Sequence, residues 1–488
     1  MSCRHSTTTT IDALSDNVLL DIFDFYRRNH ANSTYDIKDQ ALVYVCRRWR
    51  QIILESPRRL GLRVRCTYRT PVKKDILICK WPNIPIAIDY CSPLIDTSPD
   101  DEENIIFAAL EHSNRVTHLE LHLTGFLLGK LATSMQKPFP ALTHLTIIPK
   151  SIGKHTPVLP AEFLGGSAPC LQEITLSCIS CPALPTLLSS ARDLVTLTLY
   201  LREIPATDYI SPEALVAYLA ALPRLGTFDI RFQSTTPYPD QIQSHDPHPI
   251  TRAILPALTD FRLDAAGKYL EDFTARIDCP QLNSFYVVCF VRLADCQATQ
   301  LVKFFARLVG PGTSPFKDAK VRLEASGVFL HTYCPNNRPG WDWHLARTEI
   351  SSQRTRWQMF PLDHLLRQFS PIVSSVLYLN FVVHYSLDFP EGEPDFNLPH
   401  LQLFSTMRAI CVSQPLAKRM ASSYALEHFL GEMFAEALLS LDLICFENEP
   451  EAPCIKKFIT VRQFSGRPVT VVNTVAEFDQ QLRYYLEK

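Results

Sequence analysis

The stretch VTHLELHL at residues 116–123 alternates apolar with polar side chains, which is the pattern of a β-strand that buries one face. The same alternation returns six times further along the chain. The later segments are LTHLTII (142–148), LQEITLS (171–177), LVTLTLYL (194–201), LGTFDIRF (225–232), LTDFRLDA (258–265) and LNSFYVVCF (282–290). The pattern therefore predicts a series of similar strands.

These segments follow one another at an irregular but limited interval. Their first apolar anchors are Leu119, Leu145, Ile174, Leu197, Phe228, Phe261 and Phe285. Successive anchors are 23 to 33 residues apart, which overlaps the period of about 20–29 residues in leucine-rich repeats. The interval leaves room for a helix or a turn between two strands, and it predicts a repeat architecture.

Helix and turn signals lie between the strands. Ser211-Pro212-Glu213 offers a helix N-cap, a proline at the first helical position and an acidic residue in the first turn, as does Ser98-Pro99-Asp100. A proline also precedes five of the strands, at Pro140, Pro169, Pro223, Pro256 and Pro280. Strand, helix and strand in this order predict an α/β fold with right-handed crossovers and a parallel sheet. Stacked in series, such units form a solenoid.

The alternation is looser after Phe290. Further strands are predicted at KVRLEAS (320–326), SVLYLNF (375–381), SLDLICF (440–446) and KFITVRQF (457–464). Residues 327–371 are predicted to be an insertion or loop subdomain, and residues 372–488 to be C-terminal repeats and a cap. The insertion holds Trp341, Trp343 and Trp357, which suit either a partner contact or local packing.

Two short helical patterns precede the strands. In LSDNVLLDIFDFY (14–26), Ser15 can cap a helix that has Asp16 in its first turn. LVYVCRRWRQII (42–53) predicts a second helix that ends before Pro57. From periodicity alone, these patterns predict a small helical module that either caps the downstream domain or docks on another protein.

LSDNVLLDIF followed by LVYVCRRWRQI resembles an F-box, whose usual form is LPDEVLLEIF followed by LSLVCKRWR. The resemblance covers residues 11–60, with Ser15 in place of the usual proline and a longer connection at 27–36. It implies binding to the Skp-type adaptor of a cullin–RING ubiquitin ligase. Carried over by position, the adaptor-binding residues are Leu14, Ser15, Val18, Leu19, Ile22, Phe23, Leu42, Val45, Cys46 and Trp49. An F-box followed by degenerate leucine-rich-repeat-like strands resembles the large F-box sets of mushroom-forming fungi.

A basic segment separates this module from the repeats. Residues 61–97 are predicted to be a linker, and residues 98–326 to be the leucine-rich-repeat-like solenoid. Residues 1–80 carry 15 Lys and Arg against 8 Asp and Glu, a balance that suits an acidic neighbour or phosphates. Because the segment lacks interleaved aromatic residues, nucleic acid is not the expected partner.

The residues between the strand anchors point to the opposite face of the predicted sheet. In a horseshoe of repeats this is the concave inner face, where we expect a client protein to bind through hydrogen bonds and a few aromatic anchors. The predicted client-binding residues are His118, Glu120, His122, His144, Thr198, Tyr200, Asp229, Arg231, Arg262, Asp264 and Tyr286. The alternative is that they are only solvated strand positions.

Catalytic and metal motifs are scarce. The sequence has no GxGxxG, GxxxxGK[ST], HExxH or GxSxG, and Cys178 and Cys181 have zinc spacing without a second pair. We therefore expect no cofactor and no metal. The 15 cysteines, an odd number, together with the lack of a signal segment or membrane span, predict a cytoplasmic or nuclear protein with reduced thiols.

These expectations combine into one function. The chain is predicted to be the non-catalytic substrate-recognition adaptor of a Skp–cullin–F-box ubiquitin ligase, with ubiquitin transfer left to other subunits. The competing prediction is a leucine-rich-repeat-like interaction scaffold without a ligase role. A more distant one is an enzyme that uses residues 327–371 as a lid.

Overall fold

The computed structural model divides the chain into two compact units, Met1–Asp208 and Tyr209–Lys488. Each unit is described by itself. The described residues are 11–29, 41–57, 59–60, 62–67, 83–91, 106–150, 157–201, 210–232, 252–289, 299–309, 318–324, 327–333, 367–370, 374, 376–383, 403–413, 441–446, 460, 462–464, 466, 468–478 and 480–481.

The first unit begins with the helical module. A 3-10 turn at Ile11–Ala13 precedes α1 (Asp16–Asn29), and a second 3-10 turn at Ala41–Tyr44 precedes α2 (Arg47–Glu55). The expected single helix over 42–53 is therefore wrong. The chain is extended at Cys46, whose Sγ accepts a hydrogen bond from the backbone N–H of Trp49 at 3.4 Å and caps α2. As predicted, α2 ends before Pro57.

Six parallel strands of the first unit pair in chain order. They are β1 (Val64–Thr67), β2 (Ile86–Cys91), β3 (Val116–Leu123), β4 (His144–Pro149), β5 (Glu173–Ser177) and β6 (Thr196–Leu201). The prediction of a linker over 61–97 is wrong, because β1 and β2 lie within it. Both strands are short, and two or three alternating positions give too weak a pattern to detect.

The register of these strands confirms the repeating pattern. Leu119 is paired with Leu145, Leu145 with Ile174, and Ile174 with Leu197, so four predicted anchors lie side by side. All four are buried. α3 (Gly125–Ser134) follows β3, a 3-10 turn at Phe163–Gly166 follows β4, and α4 (Leu184–Ser190) follows β5. Their buried leucines pack into the core beneath the sheet.

The second unit repeats the arrangement. Its first elements are α5 (Pro212–Ala220), β7 (Thr227–Phe232), β8 (Ala253–Ile254), β9 (Asp260–Ala265), α6 (Gly267–Thr274), β10 (Ile277–Asp278), β11 (Ser284–Cys289) and α7 (Thr299–Val309). β7, β9 and β11 are parallel neighbours, and β8 pairs in parallel with β10. As predicted, the hydroxyl of Ser211 accepts a hydrogen bond from the N–H of Ala214 at 3.2 Å and caps α5.

A second sheet follows in the same unit, with the strand order β13-β12-β14-β15-β16-β17. Its strands are β12 (Asp318–Glu324), β13 (Gly327–Tyr333), β14 (Tyr378–Val383), β15 (Ala409–Val412), β16 (Leu443–Phe446) and β17 (Thr470–Val472). Only the β12–β13 pair of these described strands is antiparallel. The predicted insertion over 327–371 therefore begins with a strand of this sheet. Its three tryptophans lie outside the described residues.

Three of the four predicted late strands are confirmed, as β12, β14 and β16, and the prediction of the fourth is wrong. KFITVRQF was expected to be a strand, but Thr460 and residues 462–464 are helical. The side chain of Arg462 is buried, and its guanidinium donates a hydrogen bond to the carbonyl of Leu441 at 2.6 Å. The local alternation of apolar and polar residues cannot predict this tertiary contact, because Arg462 and Leu441 are distant in the sequence. The α/β class, with parallel strands alternating with helices, is confirmed.

Candidate interaction surfaces

The helical module is tied together by its own core. Phe23 is buried on α1, and its ring lies 4.8 Å, between centroids, from the ring of Trp49 on α2. Arg48 on α2 donates hydrogen bonds to Asp16 Oδ1 at 2.7 Å and to the carbonyl of Leu14 at 2.6 Å. The two helices therefore hold one another through a packed aromatic pair and a bridging arginine.

A second apolar face of α1 is open. Val18, Ile22, Phe25 and Tyr26 are between 40% and 68% exposed, and their spacing of four, three and one residues places them on one side of the helix. We call these four residues the apolar strip. Tyr44 and Val45, at the end of the second 3-10 turn, are also exposed. A contiguous exposed apolar face on a folded domain is typical of a contact with another protein.

The predicted adaptor-binding residues fall into three groups. Ser15, Val18, Ile22, Val45 and Cys46 are exposed, whereas Leu14, Leu42 and Trp49 are half-buried. Leu19 and Phe23 are buried, so for these two a direct contact with a partner is a wrong prediction. They lie on the side of α1 next to the apolar strip and are buried in the core of the module.

Three exposed aromatic residues of the module, Phe25, Tyr26 and Tyr44, were not predicted as adaptor contacts. Phe25 lies three residues beyond Ile22, so the helical spacing of the apolar strip could have identified it. Tyr44 lies in the 3-10 turn and precedes the exposed Val45. Tyr44 was missed because a single helix was predicted over 42–53. In that helix Tyr44 would lie away from the apolar face.

In the first unit, three histidines and two glutamates gather on the open sheet face. We call His118, Glu120, His122, His144 and Glu173 the histidine cluster. Glu120 lies between two imidazoles, with its oxygens 3.5 Å from His118 Nε2 and 3.0 Å from His122 Nε2. His144 Nε2 lies 3.4 Å from Glu173 Oε1, and the rings of His118 and His144 are 5.3 Å apart. The predicted His118, Glu120, His122 and His144 are thus brought together.

The environment of His118 favours its neutral form. Burial lowers the pKa of His118, His144 and Arg63 lower it further, and Glu120 only partly opposes them. Its Nδ1 is buried and has no hydrogen-bond partner among the described residues. An imidazolium would place an N–H on that nitrogen without an acceptor in this part of the chain, which adds to the cost of protonation.

Polar residues continue across the same face. Glu120 is in register with Thr146, Thr146 with Thr175, and Thr175 with the predicted Thr198. The predicted Tyr200 is in register with Ser177. All of these side chains are half-buried. On the other side of the cluster, Arg65 and Asp89 form an ion pair of 2.6 Å that sequence reasoning missed, because β1 and β2 were taken for a linker.

The second unit carries a separate polar cluster, formed by the predicted Asp229, Arg231, Arg262, Asp264 and Tyr286. Arg231 donates two hydrogen bonds to the carboxylate of Asp229, at 2.9 and 2.6 Å. The guanidinium carbon of Arg262 lies 3.7 Å above the ring of Tyr286. Arg262 Nε lies 3.5 Å from Asp264 Oδ1 and 3.8 Å from Asp229 Oδ1. All five predicted residues are therefore neighbours.

Asp264 differs from the expected solvent-facing contact residue. It is only 7% exposed, so a direct role in client binding is a wrong prediction for this side chain. Burial raises the pKa of Asp264 to about 6, and the nearby Arg262 and Arg231 only partly oppose this rise. Asp264 instead supports Arg262 from within the sheet.

Asp264→Asn is expected to change how stability depends on pH. Because the raised pKa lets the native state bind a proton that the unfolded chain releases, the contribution of Asp264 to stability falls by about 3 kcal/mol as the pH rises from about 4 to about 6. The variant lacks this loss, so its stability relative to wild type should increase by about that amount between pH 4 and pH 7. Urea titrations at the two pH values measure it.

The exposed Asp260, on the same strand, provides the matched control. Asp260→Asn is expected to keep the stability difference from wild type nearly constant between the two pH values. A constant difference for Asp264→Asn as well would contradict the role of burial at this carboxyl group.

Two other kinds of site are missing from the described residues. No group of three or more His, Cys, Asp or Glu among them could hold a metal ion. No helix in the same part of the chain is long and apolar enough to cross a membrane.

Neither a scan against protein-family models nor a search of the curated proteins gives a match for this chain. The surfaces described above are therefore the basis for a functional proposal.

Proposed function

We propose that the chain is the substrate-recognition adaptor of a Skp–cullin–F-box ubiquitin ligase. The helical module docks on the Skp-type adaptor, and the strand region, a degenerate leucine-rich-repeat solenoid, binds a client protein. The observation that carries the proposal is the apolar strip. Its four exposed residues lie in the segment that resembles an F-box, on a helix whose adjacent side already packs a core.

The energetics of the strip favour a protein partner. Covering apolar surface contributes about 25 cal/mol per Å², and aromatic side chains such as Phe25 and Tyr26 are frequent anchors of interfaces. The Arg48 bridge fixes α1 against α2 before any partner binds. A pre-organised face loses little conformational entropy on association.

The open sheet faces are the proposed client-binding surfaces. Each unit presents polar and aromatic side chains between buried strand anchors, and each face holds groups that can donate and accept hydrogen bonds. Such surfaces suit recognition of a protein segment. Neither unit needs a catalytic group for this role, because ubiquitin transfer is assigned to other subunits.

A scaffold without a ligase role is the second candidate. The observation that favours it is the burial of Leu19 and Phe23, two of the residues expected to contact the adaptor. A helical cap on a repeat domain would bury such residues in the same way. Under this alternative the apolar strip would have no Skp-type partner.

Co-expression of the full chain with a Skp-type adaptor separates the two candidates. The ligase proposal predicts a stable one-to-one complex in size-exclusion chromatography. A full chain that is folded by circular dichroism but elutes without the adaptor would contradict the proposal and favour the scaffold.

A further inference from the structure

Among the described residues, no Lys or Arg forms an ion pair with either carboxylate of the histidine cluster. Within the described part of the chain, the ion pairs of Glu120 and Glu173 are made only with histidines. Their side chains are 37% and 53% exposed. Asp89 is different, because Arg65 neutralises it at 2.6 Å. While the imidazoles are neutral, Glu120 and Glu173 therefore present uncompensated negative charge to the solvent.

The spacing of these carboxylates suits an extended chain. Glu120 lies on β3 and Glu173 on β5, two strand spacings apart and two residues out of register, so their backbones are about 12 Å apart. An extended peptide covers that distance in about four residues. The hydroxyls of Thr146, Thr175 and Thr198, in register with Glu120, continue the row with groups that donate and accept hydrogen bonds.

We propose that the histidine cluster is the docking surface for a basic, extended segment of a protein, which binds while the histidines are neutral and is released when they become protonated. This inference rests on the proposed function in one respect, which is that the basic segment belongs to the client protein. Cationic side chains of the segment pair with Glu120 and Glu173, and its backbone and polar side chains meet the threonine row.

Charged groups around the cluster set the direction of the pH response. Arg63 and Arg65 lie on the β1 side, Asp89 lies on β2, and Lys150 follows β4. Burial, His144 and Arg63 lower the pKa of His118, so this imidazole needs more acid for protonation than a free histidine does. Histidine changes its charge between about pH 5 and pH 8. Protonation of the three imidazoles adds three positive charges beside the two carboxylates and repels a basic segment.

A defined peptide tests the proposal with the full chain. The probe is a fluorescein-labelled dodecapeptide of alternating lysine and serine, and fluorescence anisotropy measures its affinity. The affinity is expected to fall about tenfold from pH 7.5 to pH 5.5. Glu120→Gln with Glu173→Gln should weaken binding about tenfold at pH 7.5. The triple variant His118→Gln, His122→Gln and His144→Gln should retain binding at pH 5.5.

Glu111→Gln with Glu162→Gln is the matched control, because it removes the same charge at two exposed positions elsewhere in the first unit. It should bind the peptide like wild type. Equal weakening by this control, or equally tight binding of an alternating glutamate and serine peptide at pH 7.5, would overturn the proposal. The assay contains no Skp-type adaptor. Its failure therefore leaves the ligase proposal standing, and loss of adaptor binding leaves the peptide result unaffected.

Discussion

Val18→Asp combined with Ile22→Asp is expected to weaken binding of the Skp-type adaptor about a thousandfold. The two substitutions place unpaired carboxylates in a face that the adaptor covers, and burying such charges costs about 4 kcal/mol or more in total. Both positions are exposed in the free chain, so the fold should remain intact. Isothermal titration of the purified full-length variant with the adaptor measures the loss.

The matched control changes the same residue types outside the helical module. Val195→Asp and Ile254→Asp also replace an exposed valine and an exposed isoleucine. Adaptor affinity for this control should stay within about twofold of wild type. Equal losses in the two double variants would mean that added charge, rather than the position of the apolar strip, weakens binding.

Phe261→Ala is expected to lower the free energy of unfolding of the second unit by about 3–5 kcal/mol. Phe261 is buried at the centre of an aromatic row, where Phe228, Phe261 and Phe285 are in register on β7, β9 and β11. The ring of Phe261 lies 5.2 Å from that of Phe228 and 4.8 Å from that of Phe285. Alanine would leave a cavity between two rings and remove both stacking contacts.

Phe464→Ala is the control for this prediction. Phe464 lies in the same unit, and its side chain is 88% exposed. The change should therefore cost no more than about 0.5 kcal/mol. Urea titration of both variants, followed by circular dichroism, gives the comparison. A loss below about 1 kcal/mol for Phe261→Ala would show that the aromatic row contributes little to the stability of the unit.

The repeating strands could be predicted because the alternation of apolar and polar residues in the sequence matches the buried and open faces of each strand in the structure. Each anchor from Leu119 to Leu197 occupies the same register position as its neighbour, and the same holds from Phe228 to Phe285. A period of two residues places anchors on the buried face and intervening residues on the open face. The clustering of His118, Glu120, His122 and His144 follows directly from that geometry.

Other elements could not be predicted because their sequences lack a clear periodic pattern or a usual capping residue. β15 (Ala409–Val412) is buried at all four positions, so it shows no alternation to detect. The break before α2 depends on a thiol cap at Cys46, a residue that is not among the usual capping types. On α1 the apolar positions surround more of the helix than one face. Periodicity therefore could not distinguish the buried Leu19 and Phe23 from the exposed Val18 and Ile22.

The burial of a polar side chain such as Asp264 could not be predicted from the sequence either. Asp264 alternates correctly with Leu263 and Ala265, yet it is nearly as buried as they are. The reason is local crowding, since Arg262 lies across it and stacks on Tyr286. Alternation predicts which face a side chain occupies, but the neighbours on that face decide whether solvent reaches it.

Hydroxyl-radical footprinting of the full chain, with and without the Skp-type adaptor, tests the central claim most directly. The account predicts that the adaptor strongly reduces oxidation of the exposed Phe25 and Tyr26, whereas the exposed Phe126 and Phe464 react equally in both samples. Unchanged oxidation of Phe25 and Tyr26 at saturating adaptor would contradict docking on the apolar strip.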